Sequence, residues 1–583
     1  MPQDWIRVVR GIGLVAEQVA KNAKPLEEQS KRALNHAVDL LTMAPQLATQ
    51  VLHSHHAPDD MTAHATPTDT ATPRSVSPVD PSHGTHVYTS QSAPVVDPVS
   101  APPAIELPKF VAEMPKRPAP MPLEALLPPV AAKEWTEKHV PASPLARIVG
   151  FGALAARLAV GTATAVIQNQ ATAATSGEKK TISQAFVSDA NAERLADALC
   201  TMRGAALKLG QMLSIQDENL IPPQLATALD RVRQNAHIMP KTQLFAQLSK
   251  EWGPEWRDQF ASFDEVPIAA ASIGQVHRAT LKSGALVAVK IQYPGVAESI
   301  ASDLLNLKRL VTYMNVFPKG LYIDEIIKVG QDELTAECNY ETEAANTIKF
   351  KTLVDDYALS SDFIVPAVYP ELSTNRILTT GFIDGVPLDK IVTLSQEIRN
   401  HVARQLLQLT IHELFVWRFM QTDPNWSNFL YDPETATIGL IDFGAAREYP
   451  DEFVTTYFDI VWGAAQLDAT KMMDASFKLG FLTGDESKDM LAAHEAAGMV
   501  VGEPFASHEP FDFHGSQLTL RLAKHTEMFM KGRLTPPPQE VYSLHRKLAG
   551  AFLMCIKLKA VIPCRDVLED VAKLYLAKKK ENN

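Results

Sequence analysis

One run constrains this chain more than any other. Gln421–Thr422–Asp423–Pro424–Asn425–Trp426–Ser427–Asn428 is followed by Leu440–Ile441–Asp442–Phe443–Gly444. Asp423 and Asn428 stand five positions apart, and Asp442 opens the second stretch. Between them Phe429–Tyr431 and Ile438–Ile441 flank Asp432–Pro433–Glu434, which predicts a β-hairpin. Phosphoryl transfer asks for this set: one carboxylate to orient the attacking hydroxyl or water, and an amide with a second carboxylate to hold Mg²⁺ against a triphosphate. Two unrelated loop aspartates account for either half of the pattern but not for both.

The D-x-x-x-x-N spacing and the D-F-G triplet are those of kinase catalytic loops. Upstream, Leu286–Val287–Ala288–Val289–Lys290–Ile291–Gln292 reads as a strand carrying one inward lysine. A lysine alternating with Ala and Val is costly to bury unless it meets anions, here phosphates and a helix carboxylate. Ahead of it, where glycines would let backbone N–H groups approach phosphates, stands Ala269–Ala270–Ala271–Ser272–Ile273–Gly274–Gln275–Val276. Alanines keep such a loop small but restrict it, which predicts a modified nucleotide cap. Lys208 and Gln211, in the run Lys208–Leu209–Gly210–Gln211, share one helical face, a pattern that solvated surface residues also show. A helix is predicted over roughly Asp324–Leu353. On it Glu337 and Glu343 diverge by ~240° at 3.6 residues per turn, so two lysines and two glutamates suggest two separate pairs.

The rest of the chain divides by composition. Residues 1–56 read as helical, either an amphipathic helix or a basic mitochondrial presequence, although Asp4 and Glu17 are unusual in the latter. Sixteen of the forty prolines fall within 57–131, which reads as a disordered linker. Its border histidines His53, His55, His56 and His64 are solvated rather than metal-bound on this reading. Within a membrane-associated segment at 144–170, Ile148–Ile167 holds twenty residues with Arg157 as the one charge, suited to a spanning or a surface-lying helix, with a buried soluble helix as the third alternative. A helical extension follows at 182–256, then a small mixed lobe at 257–380 and a mainly helical lobe at 381–579. The predicted fold is therefore α+β and bilobal, protein-kinase-like, with an N-terminal helical extension. An excess of 67 acidic over 55 basic residues argues against nucleic acid as a partner. Four scattered cysteines encode neither a zinc knuckle nor a disulfide framework.

Over residues 182–579 these elements together resemble the UbiB-type (aarF-domain) atypical kinases, most closely the mitochondrial branch required for coenzyme Q (ubiquinone) biosynthesis. The Ala-rich loop and the K-x-G-Q run separate that family from ordinary protein kinases. The resemblance implies ATP and Mg²⁺ as cofactors, with Lys290 on the phosphates and paired to Glu343, and Asn428 and Asp442 on the metal. It makes Asp423 the base or positioning carboxylate. It places Ala269, Ala270, Ala271, Ser272, Gly274 and Gln275 over the nucleotide. The resemblance also implies that Lys208 and Gln211 lie above the pocket, Lys208 meeting Glu337, where they would block the space a protein substrate would use. It further implies a matrix-facing catalytic domain at the mitochondrial inner membrane, with ubiquinone-biosynthetic enzymes and membrane lipids as partners, and it leaves a homodimer open.

Two departures stand out. The family's E-x-D reads Glu337–Cys338–Asn339, with an amide in place of the acid. Residue 422 is Thr rather than the Arg of H-R-D, which speaks against control by activation-loop phosphorylation. Three activities are compatible with the pattern: an ATPase supporting ubiquinone synthesis, a kinase for a lipid or prenyl-phenol head group, and a nucleotide-binding scaffold without catalysis.

Overall fold

The computed structural model describes residues 117–123, 135, 137–140, 147, 154, 156–158, 160–162, 189–202, 208, 238–314 and 323–581. The helical start at 1–56, the proline-rich stretch as far as 116 and Gln211 lie outside the described residues.

Strict alternation builds the first lobe. Strands β1 (Phe260–Phe263), β2 (Ala269–Ala270), β3 (Gly274–Leu281), β4 (Leu286–Gln292) and β6 (Ile377–Gly381) form one antiparallel sheet in the order β1-β3-β4-β6, with β2 also on β3. Val287, Val289 and Ile291 of β4 are fully buried on one face, which leaves Lys290 on the other. Because β4 lies between β3 and β6, its backbone is paired on both sides and Lys290 is held in register opposite Val276 and Leu378. Helices α2 (Lys241–Trp252), α3 (Val296–Met314), α4 (Ile323–Glu337) and α5 (Tyr340–Asp356) follow the preceding α1 (Asp189–Met202) in the chain. Leu304 of α3 and Leu334 of α4 enter the core of this lobe.

The single helix predicted over Asp324–Leu353 is two helices. The chain leaves α4 after Glu337, and the Asn339 carboxamide oxygen accepts the N–H groups of Glu341 and Thr342 at 3.1 and 3.2 Å, capping α5. Asparagine competes with backbone acceptors, so a helical run containing it breaks where a cap is useful. Glu337 therefore ends one helix while Glu343 sits in the first turn of the next. The divergence computed for one continuous helix does not apply.

In the second lobe α6 (Gln396–His412) is buried on most of its faces, polar His401, Arg404 and Gln405 included, with Val402, Ala403 and Leu407 fully buried in the core. It runs into a wider π turn, Glu413–Trp417, and then a left-handed residue, Arg418, at φ 56°. That reversal launches β8 (Phe419–Gln421), which pairs with β11 (Ala446–Glu448). The predicted hairpin is present as β9 (Phe429–Asp432) and β10 (Thr437–Leu440), with β5 (Phe363–Ile364) and β7 (Val386–Pro387) alongside. Helices α7 (Asp451–Ala465), α8 (Ala469–Leu479), α9 (Lys488–Gly502), α10 (Leu518–Gly532), α11 (Gln539–Lys557) and α12 (Arg565–Glu581) complete the lobe, with a short β12 (Phe511–Asp512) and β13 (Val561–Ile562) pair. The fold is α+β and bilobal.

Two segments ahead of the lobes depart from the sequence reading. The linker predicted to 131 is bound to protein by residue 117: Arg117 donates to the Thr435 and Ser361 carbonyls at 2.6 and 2.7 Å, and Met121 N–H to that of Pro433 at 3.0 Å. A proline-rich chain has little freedom left to lose on lying extended, so a few such bonds suffice. In the Gly/Ala-rich run, Leu154 and Leu158 are buried, and the Asn191 amide of α1 donates to Thr162 Oγ1 at 3.0 Å. A Cβ on Gly161 would collide with the Asn191 side chain, so the small residue serves close packing on α1. Among the described residues no helix is long and apolar enough to cross a membrane.

Candidate active site

Lys290 crosses from the open face of β4 to α5 and donates to Glu343 Oε1 at 2.6 Å and to Asp442 Oδ2 at 3.1 Å. The Tyr340 ring lies 5.1 Å from its ammonium. Burial opposes the charge on Lys290, but Asp442 and Glu343 outweigh it and hold the ammonium well above its ordinary value. Burial pushes Glu343 up to about 7 despite the neighbouring Lys290. Its second oxygen, Oε2, has no hydrogen-bond partner among the described residues, nor has the Tyr340 hydroxyl.

Lys208 makes a second cluster. It donates to Asp423 Oδ2 at 2.8 Å and to Glu337 Oε1 at 3.2 Å, with little exposure. Burial pushes Asp423 up, but Lys208, Arg546 and the Asn425 N–H together bring it down to about 2. Burial dominates at Glu337, the more distant partner, and raises its carboxyl. Asp423 is thus a committed anion, with Lys208 on its Oδ2.

Sheet register brings the rest together. Because Phe429 pairs with Leu440, the residues before and after them, Asn428 and Ile441, leave the hairpin at the same end, and Ile441 N–H donates to the Asn428 carbonyl at 3.1 Å. Because Gln421 pairs with Ala446, the loop after β8 runs beside Ala445, whose carbonyl accepts from Thr422 N–H at 3.2 Å and Oγ1 at 2.7 Å. Phe443 is buried against Phe350, ring centroids 4.7 Å apart, which turns the adjacent Asp442 toward Lys290. Asp442 Oδ1 accepts the Gly444 N–H at 3.1 Å. A Cβ on Gly444 would lie 3.0 Å from Glu337 Cγ, 3.2 Å from Glu343 Oε2 and 3.5 Å from Asp442 Oδ1. The two glutamates read as divergent therefore flank one glycine.

These residues suit a hard cation with phosphate. Four acids face two lysines, and the side-chain amide nitrogen of Asn428 has no hydrogen-bond partner among the described residues. Among the described residues no three acidic, histidine or cysteine groups are arranged to hold a metal by themselves. Mg²⁺ characteristically takes one or two protein oxygens and completes its shell with water and phosphate.

The Ala-rich segment forms a tight hairpin: Ala269 pairs with Val276 and Ala270 with Gln275, and Ala271 N–H donates to the Gly274 carbonyl at 2.7 Å. Ser272 is buried, and a Cβ on Gly274 would sit 2.6 Å from the Ile291 carbonyl, so only glycine fits there. Gln275, expected over the nucleotide, is placed elsewhere. Its side chain is fully buried on the opposite face of β3, accepting from Met239 N–H at 3.1 Å and bonding His277 at 2.9 Å. Lys290 pairs with Val276, and a one-residue step along the strand turns Gln275 away from the cleft.

Sequence reading missed α11. Arg546 donates to Glu333 Oε2 at 2.8 Å, and its Nε lies 3.4 Å from the Thr422 carbonyl. Lys547 donates to Gln421 Oε1 at 3.1 Å and faces Glu413 at 3.5 Å. The available signal was two adjacent basic residues inside an otherwise apolar helical pattern.

Residues 231–476 match the ABC1 atypical kinase-like domain. The rat protein named atypical kinase COQ8B, mitochondrial, is 47% identical over 444 residues, covering 76% of this chain and 83% of the rat chain. Atypical kinase COQ8, mitochondrial, of Saccharomyces cerevisiae is 40% identical over 434 residues, 74% of this chain and 85% of the yeast one. Atypical kinase coq-8, mitochondrial, of Caenorhabditis elegans is 44% identical over 450 residues, 76% of this chain and 58% of the worm protein.

Proposed function

The chain belongs to the ABC1 atypical kinase family, alongside the mitochondrial COQ8 relatives, and from that premise we propose that it turns over Mg-ATP in support of ubiquinone biosynthesis at the matrix face of the mitochondrial inner membrane. The observation that carries this reading is the convergence of Lys290, Asp442, Asp423 and Lys208, drawn from distant parts of the chain, on one another where residues of the two lobes meet. Its working partners are membrane lipids and the enzymes that build ubiquinone.

Lys290, held by Glu343, orients the α- and β-phosphates. Asn428 and Asp442 would hold Mg²⁺, which would neutralise charge on the transferring phosphoryl group. Asp423, kept anionic, orients the attacking oxygen. Lys208 on Asp423 would obstruct a folded protein substrate more than water or a small hydroxyl. That contact favours hydrolysis first. It also admits a second reading, transfer to a small phenolic or lipid hydroxyl.

Purified protein with γ-labelled ATP, phenolic isoprenoids and liposomes separates the readings. Labelled free phosphate supports hydrolysis, and label in the organic extract supports transfer. Full rescue of ubiquinone production by Asp442→Asn would contradict both and leave a scaffold.

A further inference from the structure

We propose that Arg546 is a positioning residue for the catalytic loop, tying Thr422, the neighbour of Asp423, to Glu333 on α4. The inference rests on the Mg-ATP reading above.

Three observations converge on it. Ser543, Arg546, Lys547 and Gly550 of α11 recur at helical spacing, and all four meet the catalytic loop or its flanking strands. Ser543 accepts from Arg447 of β11 at 3.2 Å, Lys547 reaches Gln421, and a Cβ on Gly550 would collide with Pro424. Arg546 itself is buried, and a guanidinium taken out of water has to recover its hydrogen bonds locally. Its partners are Glu333 and Thr422, the latter 124 positions away in the chain.

Glu333 and Glu337 stand four apart on α4 and so share one face of it. Lys208 bridges Glu337 to Asp423. The links close a ring: Asp423, Lys208, Glu337, one turn of α4, Glu333, Arg546, Thr422 and back to Asp423. Leu334 beside Glu333 belongs to the core of the first lobe, and Met554 and Cys555 of α11 to that of the second. Arg546 is therefore a strut between lobes that fixes how far α4 stands from the catalytic loop. Residue 422 is Thr, so the cation behind the catalytic acid comes from the far end of the chain instead of from the loop. When substrate displaces Lys208, the Glu333–Arg546–Thr422 arm still holds Asp423 in place.

The test measures phosphate release, affinity for a fluorescent ATP analogue and thermal stability of the full chain as wild type, Arg546→Gln, Glu333→Gln and the double variant. Arg546→Gln should lower kcat by about 10- to 100-fold, the scale of a misplaced catalytic group, with analogue affinity changed by less than about threefold. Glu333→Gln should lower kcat in the same way, and the double variant should be no worse than Arg546→Gln alone, since coupled residues are non-additive. If Arg546→Gln does not fold, Glu333→Gln decides: an unchanged kcat overturns the proposal. Additive losses, or losses confined to nucleotide affinity, also overturn it. An active wild type with unaffected variants sinks this inference alone, whereas an inactive wild type sinks the Mg-ATP reading with it.

Discussion

Lys208 and Asp423, 215 positions apart in the chain, meet at 2.8 Å, and Lys208 reaches Glu337 from the same place. On the proposed reading, a cation seated on this carboxylate sets the entry conditions of the site: a ligand has to displace the lysine or recruit it. Lys208→Ala is expected to leave a folded protein whose turnover or nucleotide affinity differs from wild type by at least about fivefold, the lower range of lost charge-assisted bonds. Steady-state kinetics with equilibrium nucleotide binding measure it. If both are unchanged, Lys208 has no part in handling nucleotide.

The catalytic loop is packed from behind as tightly as it is bonded. Gly550 has no room for a methyl against Pro424. Gly550→Ala should therefore destabilise by about 1–3 kcal/mol, the cost of overpacking, and lower kcat because Pro424 adjoins Asp423. Denaturant unfolding and phosphate release report the two effects. Wild-type stability in the variant would mean that α11 is free to move.

Arg147 and Asp303 form a buried ion pair in which Arg147 Nε lies 3.0 and 2.9 Å from the two carboxylate oxygens. The pair pins the start of the Gly/Ala-rich run to α3. Breaking it strands a buried charge, so Arg147→Met should cost about 3–5 kcal/mol and speed proteolysis between residues 123 and 189. Chemical denaturation and timed proteolysis measure both, and an unchanged cleavage rate would show that the run is held by other contacts.

Acid should loosen the nucleotide-side hairpin. His277 Nδ1 bonds the Asp264 carbonyl at 2.7 Å and Nε2 bonds Gln275 at 2.9 Å, an arrangement that needs a neutral ring. Burial lowers its folded-state value to about 4, against ~6.5 when unfolded. Below 6.5 the unfolded chain takes up a proton that the folded chain refuses. The contribution is thus complete above 6.5 and drains as pH falls toward 4, at up to about 1.4 kcal/mol per pH unit. His494, also lowered to about 4 by burial, acts in the same direction. Melting temperature should fall from pH 7 to pH 5, and His277→Phe should flatten that slope while lowering the starting value. An identical slope in the variant would place the acid sensitivity elsewhere.

What the sequence made legible was local. Asp423, Asn428 and Asp442 sit on a hairpin whose turn residues and spacing announce it, and Lys290 sits on a strand whose alternation does the same. Gln275 was misread because its facing depends on which residue of β3 pairs with Lys290, and that is a property of the register, not of the run. Asn339 was read as part of a helix because its role as a cap emerges only where α4 and α5 part. Arg546 and Lys547 were not singled out because their acidic partners, Glu333 and Glu413, lie more than a hundred positions away. The binding of residues 117–123 to the second lobe was hidden for the same reason: composition describes a segment but not what it meets.

The central claim is that Lys290, Asp423, Asn428 and Asp442 act on one Mg²⁺-bound triphosphate. Asp442→Asn preserves the oxygen that accepts the Gly444 N–H, so the loop should keep its shape while the metal loses a charged ligand. The decisive measurement is ATP turnover of the purified chain across a Mg²⁺ titration, wild type beside Asp442→Asn. Saturable, Mg²⁺-dependent phosphate release in the wild type with at least about a hundredfold loss in the variant, on the scale of removing a preorganised electrostatic group, is the predicted result. Equal turnover in the two proteins, or turnover indifferent to Mg²⁺, would contradict it.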